Sequence, residues 1–226
     1  MEKAILCWSG GKDSTLALRE TRRSRRYEIA ALLTTTTQDY DRVSMHGVRR
    51  TLIEQQAESI GLPLEAVFIS RTSSNEEYEA RMLAALTRFK DMGVSAVIFG
   101  DIFLEELRRY RESNLGQLGL TAVFPLWRRD TAELARSFIE AGFKAITTCV
   151  DSRALDKSFV GRAFDNGFLN QLPSHIDPCG ENGEFHSFTF AGPIFRHRID
   201  FSPGEKVLRD SFYFCDLLPA ETQGVN

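Results

Sequence analysis

The sequence predicts an α/β protein: a parallel β-sheet covered by helices on both faces, followed by a smaller C-terminal α+β part. Three observations predict it. Short apolar runs of strand type alternate with helix-period segments from residue 4 to residue 124. The first of these runs, Ala4-Ile5-Leu6-Cys7-Trp8, breaks at once into Ser9-Gly10-Gly11-Lys12-Asp13-Ser14 and a helical stretch. Beyond Trp127 the alternation gives way to segments rich in Gly, Asn and Pro between β-type runs.

Each element has its own local reason. The first helix is expected over residues 15–26, followed by a strand at 29–35 whose β-branched residues cluster at its end. After a polar loop running to His46-Gly47, Val48, Leu52, Ile53, Gln56 and Ile60 mark a helix stopped by Gly61-Leu62-Pro63. A strand at 66–69 precedes a helix over 76–92, with Ser74 as its N-cap and Gly93 as C′. Residues 96–101 read as a buried strand ending in a glycine and an acid, 103–118 as helix, and 121–124 as a strand halted by Pro125. One more helix (130–141) and strand (144–150) follow. The stretch 165–184 is turn-rich, residues 185–190, 194–201 and 207–214 read as antiparallel strands, and 219–226 as a frayed tail. A boundary near residues 126–130 divides the chain into a part of residues 1–128 and a part of residues 129–226.

Parallel sheets of this kind bind ligands at the carboxyl ends of their strands. The Ser9–Ser14 segment, the loop from Thr34 to Gly47, and Gly100-Asp101 all fall at such ends, so they can converge on one nucleotide. Gly10 and Gly11 let backbone N–H groups approach an anion, and the helix that follows offers its unpaired N–H groups and positive dipole end. Ser9 and Ser14 can donate to phosphate, Lys12 can neutralise a leaving pyrophosphate, and Asp13 can hold Mg²⁺. A Walker A loop needs a glycine at position 6, which is Leu6.

Composition narrows the class further. A hydrophobic content of 42% with 26% charged residues is ordinary for a globular chain, and no apolar run approaches the roughly 20 residues of a membrane span. Met-Glu-Lys leading into a strand lacks signal-peptide character, so a cytoplasmic location is expected. Cys7, Cys149, Cys179 and Cys215 form no C-x-x-C pair, which argues against a zinc ribbon or a dithiol site. With a formal net charge of −3, nucleic acid is an unfavoured partner. The arginines at 19, 22, 23, 25 and 26 read as a solvated helix end rather than an RNA contact.

A second concentration of polar groups lies at Asp177-Pro178-Cys179-Gly180-Glu181-Asn182-Gly183-Glu184-Phe185-His186. Glu-Asn-Gly-Glu alone is compatible with a plain hairpin turn. As a site, its glycines would bring the backbone close to a substrate while Glu181, Asn182, Glu184 and His186 point into the cleft.

SGGKDS resembles the PP-loop of ATP pyrophosphatases, which split ATP between the α- and β-phosphates. With Ser44-Met45-His46-Gly47, Phe99-Gly100-Asp101-Ile102, Pro125-Leu126-Trp127 and the 177–186 motif, the chain resembles the diphthine–ammonia ligase family nearly end to end. The resemblance implies an adenine-nucleotide α-hydrolase-like (Rossmann-like) domain and a smaller domain closing over its site. It implies ATP and Mg²⁺ as cofactors, ammonia as nitrogen donor, and a carboxylate substrate such as that of a modified histidine on elongation factor 2. It allows a homodimer. The implied activity is AMP-forming amide ligation, with Lys12, Asp13, Glu181, Glu184 and His186 as catalytic candidates. Ser9, Gly10, Gly11, Lys12, Asp13, Ser14, Thr34, Met45, His46, Gly100 and Asp101 are nucleotide candidates, with Asp13 also on the metal. Gly180, Glu181, Asn182, Gly183 and Glu184 are substrate candidates. Two other classes stay open: a PP-loop enzyme acting on tRNA or another substrate, and a non-catalytic nucleotide-binding module.

Overall fold

A computed structural model describes residues 1–43, 46–70, 72 and 74–220. The first sheet contains β1 (Glu2–Cys7), β2 (Tyr27–Thr37), β4 (Leu64–Ile69), β5 (Ala96–Ile98) and β6 (Thr121–Val123), all parallel where they pair. A two-residue strand, β3 (Arg42–Val43), pairs antiparallel with the end of β2. Because β2 lies on one side of β1 and β5 on the other, the strand order reverses at β1. Such a switch point leaves a crevice beyond the strand's carboxyl end, which is where Ser9–Ser14 begins.

Side-chain alternation along the strands explains the two helical layers. Ala4, Leu6, Trp8, Ala96 and Ile98 face a core shared with α1 (Lys12–Ser24) and α2 (Arg50–Ile60). Ile5, Val97 and Phe99 face the opposite layer, built from α3 (Asn75–Asp91) and α4 (Glu105–Gln117). Ser74 caps α3 as expected, accepting from the Glu77 N–H, and Asp130 caps α5 (Thr131–Glu140) in the same way through Glu133.

The second sheet is antiparallel, in the order β8-β7-β10-β9, from β7 (Lys144–Asp151), β8 (Phe185–Ala191), β9 (Phe201–Arg209) and β10 (Phe212–Pro219). Its inner face contributes Phe185, Phe188, Cys215 and Leu217 to the core that also holds Leu6, Trp8 and Leu16. One apolar core therefore joins both sheets, and β8 is brought against the end of β1.

Four expectations require correction. Residues 194–201 are not a strand up to Phe201: the Arg196 N–H goes to Ser59 O at the end of α2 and the Ile199 N–H to Phe190 O, so this segment's donors are used outside a ladder. Residues 207–214 are not one strand, because Asp210 and Ser211 turn the chain at φ 46° and 70°, a left-handed pair achieved without the glycine that usually marks it. The turn-rich stretch holds a short helix, α6 (Asn166–Gln171), capped by the Asp165 carboxylate on the Phe168 N–H. Pro219 ends β10 and Ala220 donates to Asp200 O, so the tail is tied down to there; residues 221–226 lie outside the described residues.

The helix boundaries also move. α1 starts at Lys12, three residues before the expected start, which puts Lys12, Asp13 and Ser14 in its first turn. Of the arginines at its far end, Arg22 donates to Ile60 O (3.4 Å), a cation at the negative end of α2, and Arg23 and Arg26 are exposed beside Glu20 and Glu2.

Candidate functional site

The site is a cleft of about 530 Å³ at the carboxyl ends of β1, β2 and β5, closed on its far side by the 177–186 loop and β8. Its floor is set by the break after Trp8. Gly10 sits at φ +78°, and Gly11, extended, is the N-cap of α1 without a side-chain cap of its own. A capping partner comes from far away in sequence: Ser187 on β8 accepts from the Lys12 N–H through Oγ (3.2 Å). The hydroxyls of Ser9 and Ser14 lie 3.2 Å apart across the loop, and Ser9 Oγ accepts from the Gly11 N–H. Gly100 is required by close approach, since a Cβ there would come within 2.9 Å of the backbone of Asp13 and Ser14. The β5 end is thereby seated directly on the first turn of α1.

Lys12 is 2% exposed. Its ammonium pairs with Asp13 Oδ2 (2.8 Å), donates to the Cys179 carbonyl, and lies over the rings of Phe185 (5.2 Å) and Phe164 (5.8 Å). Burial pulls its pKa down, but Asp13 and then Glu181 pull it up, and the net direction is upward, so Lys12 is charged. Burial raises the Asp13 pKa against the opposing pull of Lys12. The second Asp13 oxygen, Oδ1, is buried and has no hydrogen-bond partner among the described residues. An orphaned carboxylate oxygen beside an anion cradle suits a hard cation such as Mg²⁺, which takes one or two carboxylates and leaves its other positions to phosphate and water. The described residues contain no cluster of three or more acidic, His or Cys ligands.

Glu181 joins the two motifs. Its Oε1 accepts from the Ile102 N–H (2.7 Å) and the Phe103 N–H (3.4 Å), so the second motif is tethered to the loop after β5. Burial, with the charges of Asp13 and Asp101 added, pushes its pKa up to about 7 against the pull of those two N–H groups. His46 and His186 pack against each other with ring centroids 4.5 Å apart and planes tilted by 36°. Burial lowers the His46 pKa to about 4, and burial followed by the neighbouring His46 and Lys12 holds His186 well below its usual range. Both rings are neutral; His46 Nδ1 donates to Ser187 O (3.4 Å), which leaves its Nε2 as an acceptor.

The expected residues are not all brought together. Ser9, Lys12, Asp13, Ser14, Thr34, His46, Gly100, Asp101, Gly180, Glu181, Gly183 and His186 line the cleft, and the buried Thr34 Oγ1 has no hydrogen-bond partner among the described residues. Met45 lies outside the described residues. Gly10 and Gly11 shape the floor from behind. Asn182 and Glu184 turn away from the cleft, contrary to the expectation that they point into it. Glu184, 8% exposed, accepts from the backbone N–H groups of Asp177 (3.1 Å) and Asn182 (3.0 Å) and from Asn182 Nδ2 (3.0 Å). Its carboxylate folds the loop on itself. Asp101 is engaged by Arg111 (2.5 and 3.2 Å), whose guanidinium stacks 4.2 Å from the Phe99 ring.

Arg111, Tyr78 and Ser187 line the cleft and were not among the sequence candidates. Nothing in the local pattern marks Arg111 or Tyr78 on otherwise ordinary amphipathic helices. Ser187 follows directly on the 177–186 motif and could have been taken with it.

Known proteins place this arrangement. Residues 2–122 match the diphthamide synthase N-terminal domain and residues 130–221 the diphthamide synthase C-terminal domain. The diphthine–ammonia ligase of Danio rerio is 30% identical over 230 residues, covering 92% of this chain and 89% of its own. The Homo sapiens enzyme is 25% identical, with 92% and 85% covered. Against the Schizosaccharomyces pombe enzyme the identity is 26% over 92% of this chain, but the chain spans only 38% of that longer protein. With both domains matched in order over nearly its whole length, the chain belongs to the diphthamide synthase family.

Proposed function

We propose that the protein is an ATP-dependent, AMP-forming amide ligase of the diphthine–ammonia ligase type, with residues 1–128 holding the nucleotide and 129–226 closing over the substrate. The observation that carries this reading is the meeting of the two motifs in one cleft: the Lys12 ammonium, on the phosphate loop, is bonded to the Cys179 carbonyl of the second motif. The relatives' names point to diphthine as the acid, and the resemblance of the motifs implies that it is a modified histidine on elongation factor 2. Among the described residues no helix is long and apolar enough to cross a membrane.

A carboxylate at neutral pH does not react with amines, so it must first be activated. Its oxygen attacks the α-phosphorus of ATP, the bond to the bridging oxygen breaks, and pyrophosphate leaves with the electron pair. Ammonia then attacks the acyl carbon of the adenylate, AMP departs, and one proton is lost. Lys12 and the first-turn N–H groups of α1 stabilise charge on the departing pyrophosphate. Asp13 would hold Mg²⁺ through the orphaned Oδ1, and the ion would neutralise phosphate charge. Glu181 is the group we assign to take the proton, because a carboxylate with a pKa of about 7 is half ionised at neutral pH and is a usable base there. His186 lines the same wall as a neutral hydrogen-bonding group, and Glu184 is a positioning residue that holds Glu181 in place through the loop.

Product analysis tests the reading. With ATP, ammonium and diphthine-bearing elongation factor 2, the nucleotide product should be AMP with pyrophosphate, in step with amide formed. ADP and orthophosphate as the primary products would overturn the mechanism.

A further inference from the structure

Gln56 lies on α2, outside the cleft, and is 0% exposed. It stands on a helix face otherwise made of buried Leu52, Ile53, Ala57 and Ile60, where an amide is costly unless fully bonded. Gln56 is fully bonded. Its Oε1 accepts from the Trp8 indole N–H (2.8 Å), and its Nε2 donates to Gly10 O (3.0 Å) and to Thr189 O (2.5 Å). The Gly10 carbonyl also accepts from the Thr189 N–H (2.8 Å), so it is gripped from α2 and from β8 together.

The direction of that grip matters. In a trans peptide the C=O and the following N–H point opposite ways. Pinning the Gly10 carbonyl into the core therefore turns the Gly11 N–H the opposite way, onto Ser9 Oγ, and Ser9 lines the cleft. Two consecutive glycines would otherwise let this peptide rotate freely, and a carbonyl facing the cleft would repel phosphate. The conformation leaves no alternative residue at position 10: φ is +78°, and a Cβ would collide with Ile53 Cδ1 and come within 2.7 Å of Gln56 Oε1.

We infer that Gln56 is a positioning residue for the phosphates of ATP, fixing the Gly10–Gly11 peptide so that the N–H groups of the loop face the anion. The inference rests on the reading of Ser9–Ser14 as a phosphate cradle. It also makes β8 of the second sheet part of the nucleotide site, through Thr189.

Calorimetry with ATP, inorganic pyrophosphate and adenosine tests it on the full chain. Gln56→Met keeps the side chain's length and removes the amide. It should weaken ATP and pyrophosphate by roughly tenfold or more, the scale of losing the one hydrogen bond by which Gln56 orients the Gly10 carbonyl. Adenosine, which lacks phosphates, should bind as before. A merely structural role would weaken all three ligands alike, and that result would overturn the inference. The double variant Trp8→Phe/Gln56→Met removes the orphaned indole N–H as well. If Gln56 served only to satisfy Trp8, the double variant would regain ATP affinity relative to Gln56→Met; it should instead remain as weak. Gln56→Glu, which keeps the acceptor for Trp8 and sets an oxygen against two carbonyls, carries the same test should Gln56→Met not fold. A wild-type protein that binds neither ATP nor pyrophosphate removes the cradle and this inference together, whereas wild-type binding matched by both variants removes the inference alone.

Discussion

Replacing Glu181 by Gln keeps an oxygen to accept from the Ile102 and Phe103 N–H groups while removing the ionisation, so it isolates the effect of burying that carboxyl. In the folded protein its pKa lies at about 7, above its ordinary 4.5. Between those values the folded state keeps a proton that the unfolded chain releases, so stability falls as pH rises through this window. The gap corresponds to at most roughly 3 kcal/mol, and access of solvent to this half-buried group reduces the expected effect to ~1–2 kcal/mol. His46 acts in the opposite sense: its folded pKa of about 4 makes stability rise with pH up to the ordinary histidine range. The wild-type curve alone is therefore uninformative, and the difference between variant and wild type is the quantity to read. Urea denaturation at pH 4, 5.5, 7 and 8.5 should show the Glu181→Gln variant gaining on wild type by ~1–2 kcal/mol between the lowest and highest pH, mostly between 4.5 and 7. Parallel curves would refute the account of Glu181 as a carboxyl destabilised in its charged form, and with it the basis for assigning it as a base near neutrality.

Three further substitutions test other parts of the site. Lys12→Ala should lower ATP-dependent turnover by ~10² or more, the usual loss for one electrostatic contact to developing charge, and should speed amide exchange in the 177–186 loop, which loses its bond at the Cys179 carbonyl; unchanged turnover removes the phosphate-loop assignment. Glu184→Ala frees three donors in a partly exposed loop and should cost ~1–2 kcal/mol in urea denaturation. Its ATP affinity should stay within about threefold, under roughly 0.7 kcal/mol, because the carboxylate does not face the cleft; a larger calorimetric loss would return this residue to the nucleotide site. Asp216, held below the ordinary carboxylate range by Arg49 and Arg42 despite its partial burial, contributes stability above its ordinary 3.8 that is lost as pH falls below it. Asp216→Asn should cost ~1–2 kcal/mol at pH 7, with the difference shrinking under acid conditions; a difference independent of pH would mean that the ion pairs contribute little.

Local chemistry made most of the first sheet readable. Its strands are short apolar runs, its helices carry the 3.6-residue apolar spacing, and a cap such as Ser74 acts within three residues of itself. The antiparallel part was harder because its turns carry weak signals. Asp210-Ser211 adopts two left-handed conformations that sequence rules reserve for Asn-Gly or Gly pairs, so residues 207–214, which span the β9–β10 turn, read as one strand from sequence. Phe195, Ile199 and Phe201 gave residues 194–201 the look of a strand, yet the donors of Arg196 and Ile199 are spent on α2 and β8. A strand is decided by its neighbours, and those neighbours are some 140 residues away for Arg196.

The same limit governs the site. Residue type announces what a group can do, as with a lysine and an aspartate after two glycines, but the direction a side chain takes depends on what packs against it. Glu181 and Glu184 stand three apart on one loop and are alike in sequence. One reaches across to the β5–α4 connection and lines the cleft; the other folds back onto Asp177 and Asn182. Only the loop's closure, with Gly180 at φ +66° and Gly183 at φ +88°, separates them. Gln56 carries a faint signal, a polar residue at a core position of a helix, and that signal has a physical basis: an amide survives there when its partners are fixed, here two backbone carbonyls and the indole N–H of buried Trp8. Because those partners come from the residue after β1, the phosphate loop and β8, the loop's geometry depends on the second sheet. A nucleotide part cut off at residue 128 would lose the Ser187 cap on Lys12, the Thr189 grip on Gly10 and the Cys179 carbonyl on the Lys12 ammonium together.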